Sequence, residues 1–177
     1  MGNLLFSPSG RINPSEFMRG ATILIAIGFV LAILPMISFT IGSALSLLSI
    51  ITIWCWIVLF IKRYHDGGKS GWMCLIPIIA FIILSIIISQ VVTSMFAGDL
   101  NAQMQEASAA AAESGDLSAI LSISTEFGPS IAKKIALPSA IASAVVSYLV
   151  AFVINNMIKR DDHENQYGPA SLSLIHI

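Results

Sequence analysis

The chain consists of long apolar runs separated by short polar segments. Residues 21–61 include no charged side chain, and neither do residues 72–98. A single helix over 21–61 would be about 60 Å long, about twice the roughly 30 Å of bilayer hydrocarbon, so this run must fold back on itself. Pro35 and the small polar residues that follow it favour a turn near its middle. The pattern predicts four spans, at about 21–37, 44–61, 72–96 and 137–157.

These runs predict an all-α, polytopic membrane protein with four transmembrane helices. A helix satisfies its own backbone hydrogen bonds, as a lipid-exposed segment must. A partly helical outer segment, 97–136, joins the third and fourth helices. Strong helix formers occupy 100–114, whereas Ser-Gly-Asp at 114–116 and Gly128-Pro129 are expected to break the helix. We interpret the short apolar patch over 117–123 as a surface helix.

Composition supports a membrane location. Hydrophobic residues make up 56% of the 177 residues against 11% charged, and the mean hydropathy is +0.85, unlike soluble domains. We expect a single integral membrane domain over 1–171, without a separate soluble domain. The formal net charge of −1 suggests no nucleic-acid partner. Residues 172–177 match what one frame of a common transposon adaptor for sequencing libraries encodes, so we interpret them as read-through.

The distribution of lysine and arginine predicts the orientation, because cytoplasmic loops retain positive charge. Seven of these residues fall on one side of the four predicted spans and two on the other. Both chain termini and the loop between the second and third spans should therefore face the cytosol. The seven are Arg11, Arg19, Lys62, Arg63, Lys69, Lys159 and Arg160, and the two are Lys133 and Lys134.

Three polar segments, 10–17, 63–72 and 165–169, flank the predicted spans on this same side, and we call them together the rim. Arg63 and Asp66 are three residues apart at a helix end, which suits an ion pair, and Trp72 suits an anchor in the headgroup layer. A structural rim is one interpretation. The candidate residues of the rim are Arg11, Glu16, Arg63, His65, Asp66, Lys69, Ser70, Trp72, Asn165 and Tyr167.

The alternative is an anion-binding rim. In this interpretation Arg11, Arg63 and Lys69 form a cationic pocket, oriented by His65 and Asp66, that binds lipid phosphate or another small anion. Expected partners are membrane lipid with anionic headgroups, a second copy of the chain or another membrane protein.

Other chemistries have weaker support in the sequence. Cys55 and Cys74 lie in apolar stretches, and the histidines lack the spacing of zinc ligands, so we expect no metal and no cofactor. Gly68-Lys69-Ser70 fails as a phosphate-binding P-loop because the earlier glycine position is Arg63. No serine or cysteine has a matched base, so we expect no enzyme.

Within the spans, polar residues such as Asn155 are typical interhelical hydrogen-bonding groups. A small transporter or channel subunit is the second hypothesis.

The rim motifs also carry a resemblance. In their order and their positions beside the spans, they resemble the bacterial inner-membrane family called domain of unknown function 805. The resemblance covers about 5–169, departs from the family pattern at Met18 and Pro14, and implies an inner-membrane protein without an established reaction. The matching residues are Gly10, Arg11, Ile12, Glu16, Phe17, Arg63, His65, Asp66, Ser70, Gly71, Trp72, Asn165, Tyr167, Gly168 and Pro169.

Overall fold

Helices account for nearly all the regular structure in a computed structural model of the protein, which describes residues 2–169. No strand occurs within this range, so the all-helical prediction is confirmed for it. The six-residue tail predicted to be adaptor read-through lies outside it. The α-helices are α1 (Gly2–Leu5), α2 (Pro14–Ile37), α3 (Phe39–Leu45), α4 (Ser49–Asp66), α5 (Leu75–Glu113) and α6 (Leu117–Met157), with 3-10 turns at Ser46–Leu48 and Gly71–Cys74.

Three of the described helices are long and apolar enough to cross a membrane: α2, α5 with the 3-10 turn before it, and α6. In their most apolar stretches only 11–22% of the residues are buried inside the protein. Most apolar side chains of these stretches therefore face outward, as the lipid-facing surface of a membrane protein does. This finding supports a membrane protein.

The predicted second span, 44–61, is divided in the structure. Its first residues belong to α3 and the 3-10 turn, and α4 begins only at Ser49. The last turns of α4 carry Lys62, Arg63 and Asp66. Its uncharged part, 49–61, is about 20 Å long, which is shorter than the roughly 30 Å hydrocarbon layer.

The predicted break at Gly128-Pro129 is wrong, because α6 continues through Pro129 and also through Pro138. A proline removes only one backbone N–H and fixes a φ that a helix also uses, so the loss at Pro129 is local and the helix formers after it continue the helix. The predicted break at 114–116 is a turn between α5 and α6, with Gly115 at φ +70°. Helix α5 has non-helical backbone angles at Ala97, one residue after the predicted end of the third span.

The helices contribute to two compact units, and the rim lies in the first, whose described residues are 2–28, 48–84 and 144–169. Its core packs Phe17 and Leu24 of α2 against Leu59 and Phe60 of α4, with the α6 residues Ala151 and Ile154. Helices α2 and α4 approach closely at Gly20, where a Cβ atom would lie 2.6 Å from a Leu59 methyl. This core holds the end of α4 beside the start of α2.

The second unit comprises 29–47 and 85–143. In it α2 ends just beyond Pro35, and α3 folds back against that turn. A Cβ atom on Gly42 would lie 2.6 Å from the backbone nitrogen of Pro35, so only glycine permits this approach. The predicted reversal between the first two spans therefore lies at 37–39, next to Pro35.

Candidate functional site

A buried carboxylate between two arginines lies at the centre of the rim. Asp66 is the last residue of α4 and is fully buried. Its Oδ2 accepts a hydrogen bond from Nη1 of Arg63, one turn earlier, and its Oδ1 accepts one from Nε of Arg11, both at 3.1 Å. The side chains of Arg11 and Arg63 are only 2% and 1% exposed. We call Arg11, Arg63 and Asp66 the arginine cluster.

Arg63 joins α4 to the end of α6. Its Nε donates to Oδ1 of Asn155 at 2.6 Å, and its Nη2 donates to the backbone carbonyls of Asn155 at 2.9 Å and Ile158 at 2.5 Å. Helix α6 ends at Met157, so these carbonyls belong to its last turn and the residue after it. The final carbonyls of a helix lack partners within it and carry a partial negative charge. Arg63 therefore caps α6 from a neighbouring helix.

Arg11 holds the segment that follows α6. Its Nη1 donates to the carbonyl of His163 at 2.7 Å, and its Nη2 donates to the carbonyls of Asp66, at 3.2 Å, and Asp161. The Asp161 N–H in turn donates to the Asp66 carbonyl at 2.8 Å. Arg11 therefore ties the start of the chain and the C-terminal segment to the same residue of α4.

The electrostatics of the arginine cluster limit its chemistry. Two guanidinium groups face one carboxylate, and burial lowers the pKa of Arg63 while the charge of Asp66 opposes that shift. Arginine nevertheless stays protonated in proteins. The one positive charge that Asp66 does not neutralise must therefore be stabilised by hydrogen bonds to neutral oxygen atoms. A guanidinium has five N–H donors, and each of these arginines directs four of them to protein oxygens. Little donor capacity remains for a bound anion.

His65 and Tyr167 form a second contact between α4 and the C-terminal segment. Their rings stack with centroids 3.6 Å apart and planes 5° apart. His65 Nδ1 lies 3.1 Å from the carbonyl of Gly10, which requires a proton on that nitrogen. Asn165 donates from its side-chain nitrogen to the His65 carbonyl at 3.1 Å, and it forms a tight turn with Gly168. All three rim segments therefore meet at His65.

We expect the stability of the rim to decline in mild acid because of His65. Burial lowers its pKa below the ordinary value of 6.5, so the unfolded chain binds a proton more readily than the folded one. The contribution of neutral His65 to the free energy of unfolding is complete above pH 6.5 and is lost as the pH drops below that value. The thermal midpoint in detergent should decrease between pH 7.5 and 5.5, and His65→Asn, which keeps a donor towards Gly10, should flatten this dependence.

His163→Asn is the matched control for this pH experiment, because the His163 side chain is 93% exposed. Its pH profile should follow that of the unsubstituted protein. An unchanged slope in the His65→Asn variant would contradict the assignment.

The other predicted rim residues lie outside the arginine cluster. Glu16 accepts the Asn13 N–H at 3.1 Å while the Asn13 side chain accepts the Glu16 N–H at 2.8 Å, so the two form a capping box at the start of α2. Lys69, Ser70 and Trp72 are exposed in the loop after α4, and Trp72 is 80% exposed. Gly68, at φ +67°, allows the tight reversal that begins this loop.

Three residues of the site were not among the predicted ones. Asn13 could have been found, since Asn-Pro-Ser-Glu before an apolar run is a helix-start signature. Asn155 was predicted only as a general interhelical hydrogen-bonding group. Asp161 gave no local signal, because its backbone groups contact Arg11 and Asp66 across at least 95 residues of chain.

The described residues contain little that could bind a metal ion. No group of three or more histidine, cysteine or acidic side chains within residues 2–169 is placed to hold a metal ion. Cys55 and Cys74 are buried as free thiols.

Comparison with known proteins gives a match at the level of a protein family. No curated protein and no solved structure matches the chain significantly. A family described as "Protein of unknown function (DUF805)" matches residues 5–169, a range that includes all three rim segments and all the long helices. The resemblance inferred from the rim motifs is thereby confirmed, and the chain belongs to the DUF805 family.

Proposed function

We propose that the chain is a non-catalytic integral protein of the bacterial inner membrane, with four spans, both termini in the cytosol and a structural rim. The observation that carries this proposal is the burial of Asp66 between Arg11 and Arg63. These arginines use most of their N–H donors to hold the segment before α2 and the end of α6 with the segment after it against α4. The rim therefore closes one end of the helices, and contact with lipid headgroups is left to the exposed loop 69–72.

The contacts of Arg11 support an even number of crossings. Arg11 precedes α2, yet it binds Asp66 at the end of α4 and His163 after α6. If α2 crosses the membrane, the chain must cross back before Asp66 to make the 3.1 Å contact. The apolar residues of α4, together with the uncharged 39–48 before them, supply that return. Helices α5 and α6 then form the third and fourth crossings.

The lengths of α5 and α6 support an extramembrane extension on the opposite side. A crossing takes about 20 helical residues, whereas these helices have 39 and 41 residues. The turn at 114–116 would then lie well outside the hydrocarbon layer. We propose that this side is the periplasmic one.

Cysteine labelling in intact cells tests this topology. With Cys55 and Cys74 replaced by alanine, Lys69→Cys should resist a membrane-impermeant maleimide until the cells are permeabilised. Ser114→Cys, which is also exposed, should react in intact cells. Reaction of Lys69→Cys from outside would overturn the proposed orientation, and equal protection of both sites would overturn the outer location of the 114–116 turn.

A further inference from the structure

A cavity of about 520 Å³ opens at the rim between the end of α4 and the start of α5. Its rim end is lined by His65, Ser70, Trp72 and Tyr167. The rest of its wall is apolar and includes Ile57 and Ile78. The cavity is thus polar at one end only, and we call that end the mouth.

A second cavity, of about 180 Å³, adjoins the first, since Ile57 and Ile78 line both. It continues along α4 as far as Ile53 and along α5 as far as Ile82, with almost entirely apolar walls. From His65 to Ile53 is about 18 Å along a helix. One leaflet of bilayer hydrocarbon is about 15 Å deep. The two cavities, which we call the groove, therefore extend over about the depth of one leaflet.

The polar groups at the mouth and the lysine next to it in sequence suit an anion. Arg11 and Arg63 are directed inward, whereas the neighbouring Lys69 is exposed in the loop next to Ser70. The hydroxyl-bearing Ser70 and Tyr167 and the indole of Trp72 line the mouth and carry further hydrogen-bond donors. Neutral donors at one end, next in sequence to an exposed lysine and followed by an apolar channel, match a phosphate group attached to a hydrocarbon chain.

The dimensions suit an extended chain better than a helix. A helix with side chains is about 10 Å wide, so an 18 Å length of it fills about 1,400 Å³. That volume exceeds either cavity more than twofold. A single extended chain is thinner and needs no such space.

We propose that the groove binds one phospholipid of the inner leaflet, with its phosphate at the mouth and one acyl chain along α4 towards Ile53. The inference rests on the proposed membrane location with the rim at the cytosolic face. It assigns the groove to lipid binding and leaves the arginine cluster as the structural part of the rim.

Native mass spectrometry with Ile78→Trp tests the proposal, because Ile78 lines both cavities. Ile79→Trp is the matched control, since Ile79 is 55% exposed and lines neither. The unsubstituted protein and Ile79→Trp should retain one phospholipid at low detergent concentration. Ile78→Trp should retain it at least about fivefold less. Equal retention by a folded, monodisperse Ile78→Trp protein would overturn the proposal.

A fluorescence titration reports on the acyl chain directly, with phenylalanine in place of each removed tryptophan, including Trp72 at the mouth in both variants and Trp56 in the control. Trp56 lines the groove, whereas Trp54 does not. In micelles, a phospholipid with brominated acyl chains should quench a variant that retains only Trp56, saturating near one equivalent. A variant that retains only Trp54 should show weaker quenching without saturation. Identical quenching of the two variants would overturn the proposal.

The mouth is tested by Lys69→Glu with phosphatidylglycerol as the probe. Lys69 directly precedes Ser70, which lines the mouth, so reversing its charge should weaken retention about tenfold, while Lys134→Glu, at an exposed lysine whose sequence neighbours do not line the groove, should have little effect. Equal effects of the two variants would overturn the placement of the phosphate. A folded protein with the proposed topology but no retained lipid would reject this inference alone, whereas reversed labelling would reject the topology.

Discussion

Replacing Asp66 with alanine is expected to remove most of the folded protein. The substitution leaves Arg11 and Arg63 buried and facing each other without their carboxylate. Removing one partner of a buried ion pair costs about 3–5 kcal/mol. Folded domains have total stabilities of only about 5–15 kcal/mol. The monodisperse peak in detergent, measured by size-exclusion chromatography, should fall about tenfold or more.

Asp162→Ala is the matched control for this loss. Asp162 lies in the C-terminal segment that Arg11 contacts. It is paired with Arg160 at 3.6 Å, yet its side chain is 80% exposed. Exposed ion pairs contribute about 0–1 kcal/mol, so its yield should stay close to that of the unsubstituted protein. A normal monodisperse peak for Asp66→Ala would mean that the arginine cluster does not hold the rim together.

Arg63→Lys is expected to destabilise the protein strongly although it preserves the charge. A lysine has one nitrogen, so it cannot reach the Asp66 carboxylate, the Asn155 side chain and the two carbonyls near the end of α6 together. A hydrogen bond from a charged group contributes about 1.5–3 kcal/mol, and more than one is lost. We expect the thermal midpoint, measured by chromatography after heating, to fall by at least about 5 °C.

Arg19→Lys provides the comparison, because Arg19 is exposed on α2. Surface substitutions of this kind change stability by about 0.5 kcal/mol or less. If Arg63→Lys and Arg19→Lys had similar midpoints, the fork of hydrogen bonds made by Arg63 would have no structural role, and a charge-only description of the rim would suffice.

The long apolar segments of the fold were predictable from the sequence because hydrophobicity is a local property. The turn at 114–116 was also predictable from local sequence, because Gly115 can adopt the positive φ that this turn uses. The continuity of α6 through Pro129 was not, because whether a helix continues through a proline depends on tertiary context that local propensity does not report. Nor was the start of α4 at Ser49, since α3 and a 3-10 turn occupy the apolar residues before it.

The site was predictable only where its partners are close in sequence. Arg63 and Asp66 are three residues apart on one helix, so their ion pair could be anticipated. The motifs also placed Arg11 and Tyr167 on the same side as Asp66. No local pattern distinguishes inward from outward arginines, because for Arg11 that choice depends on the carbonyls of Asp161 and His163. Those contacts exist only after the chain has folded.

The sequence separations within the rim set an order for its biogenesis. Arg11 binds the carbonyl of a residue 152 positions later, and Arg63 binds one 95 positions later. While the ribosome is still translating, both arginines and Asp66 have already emerged, but their C-terminal partners have not. The rim therefore closes last, after the final helix has been inserted. A nascent chain that stalls before Ile158 lacks the carbonyl that Arg63 would bind there, so its rim cannot close as it does in the complete fold.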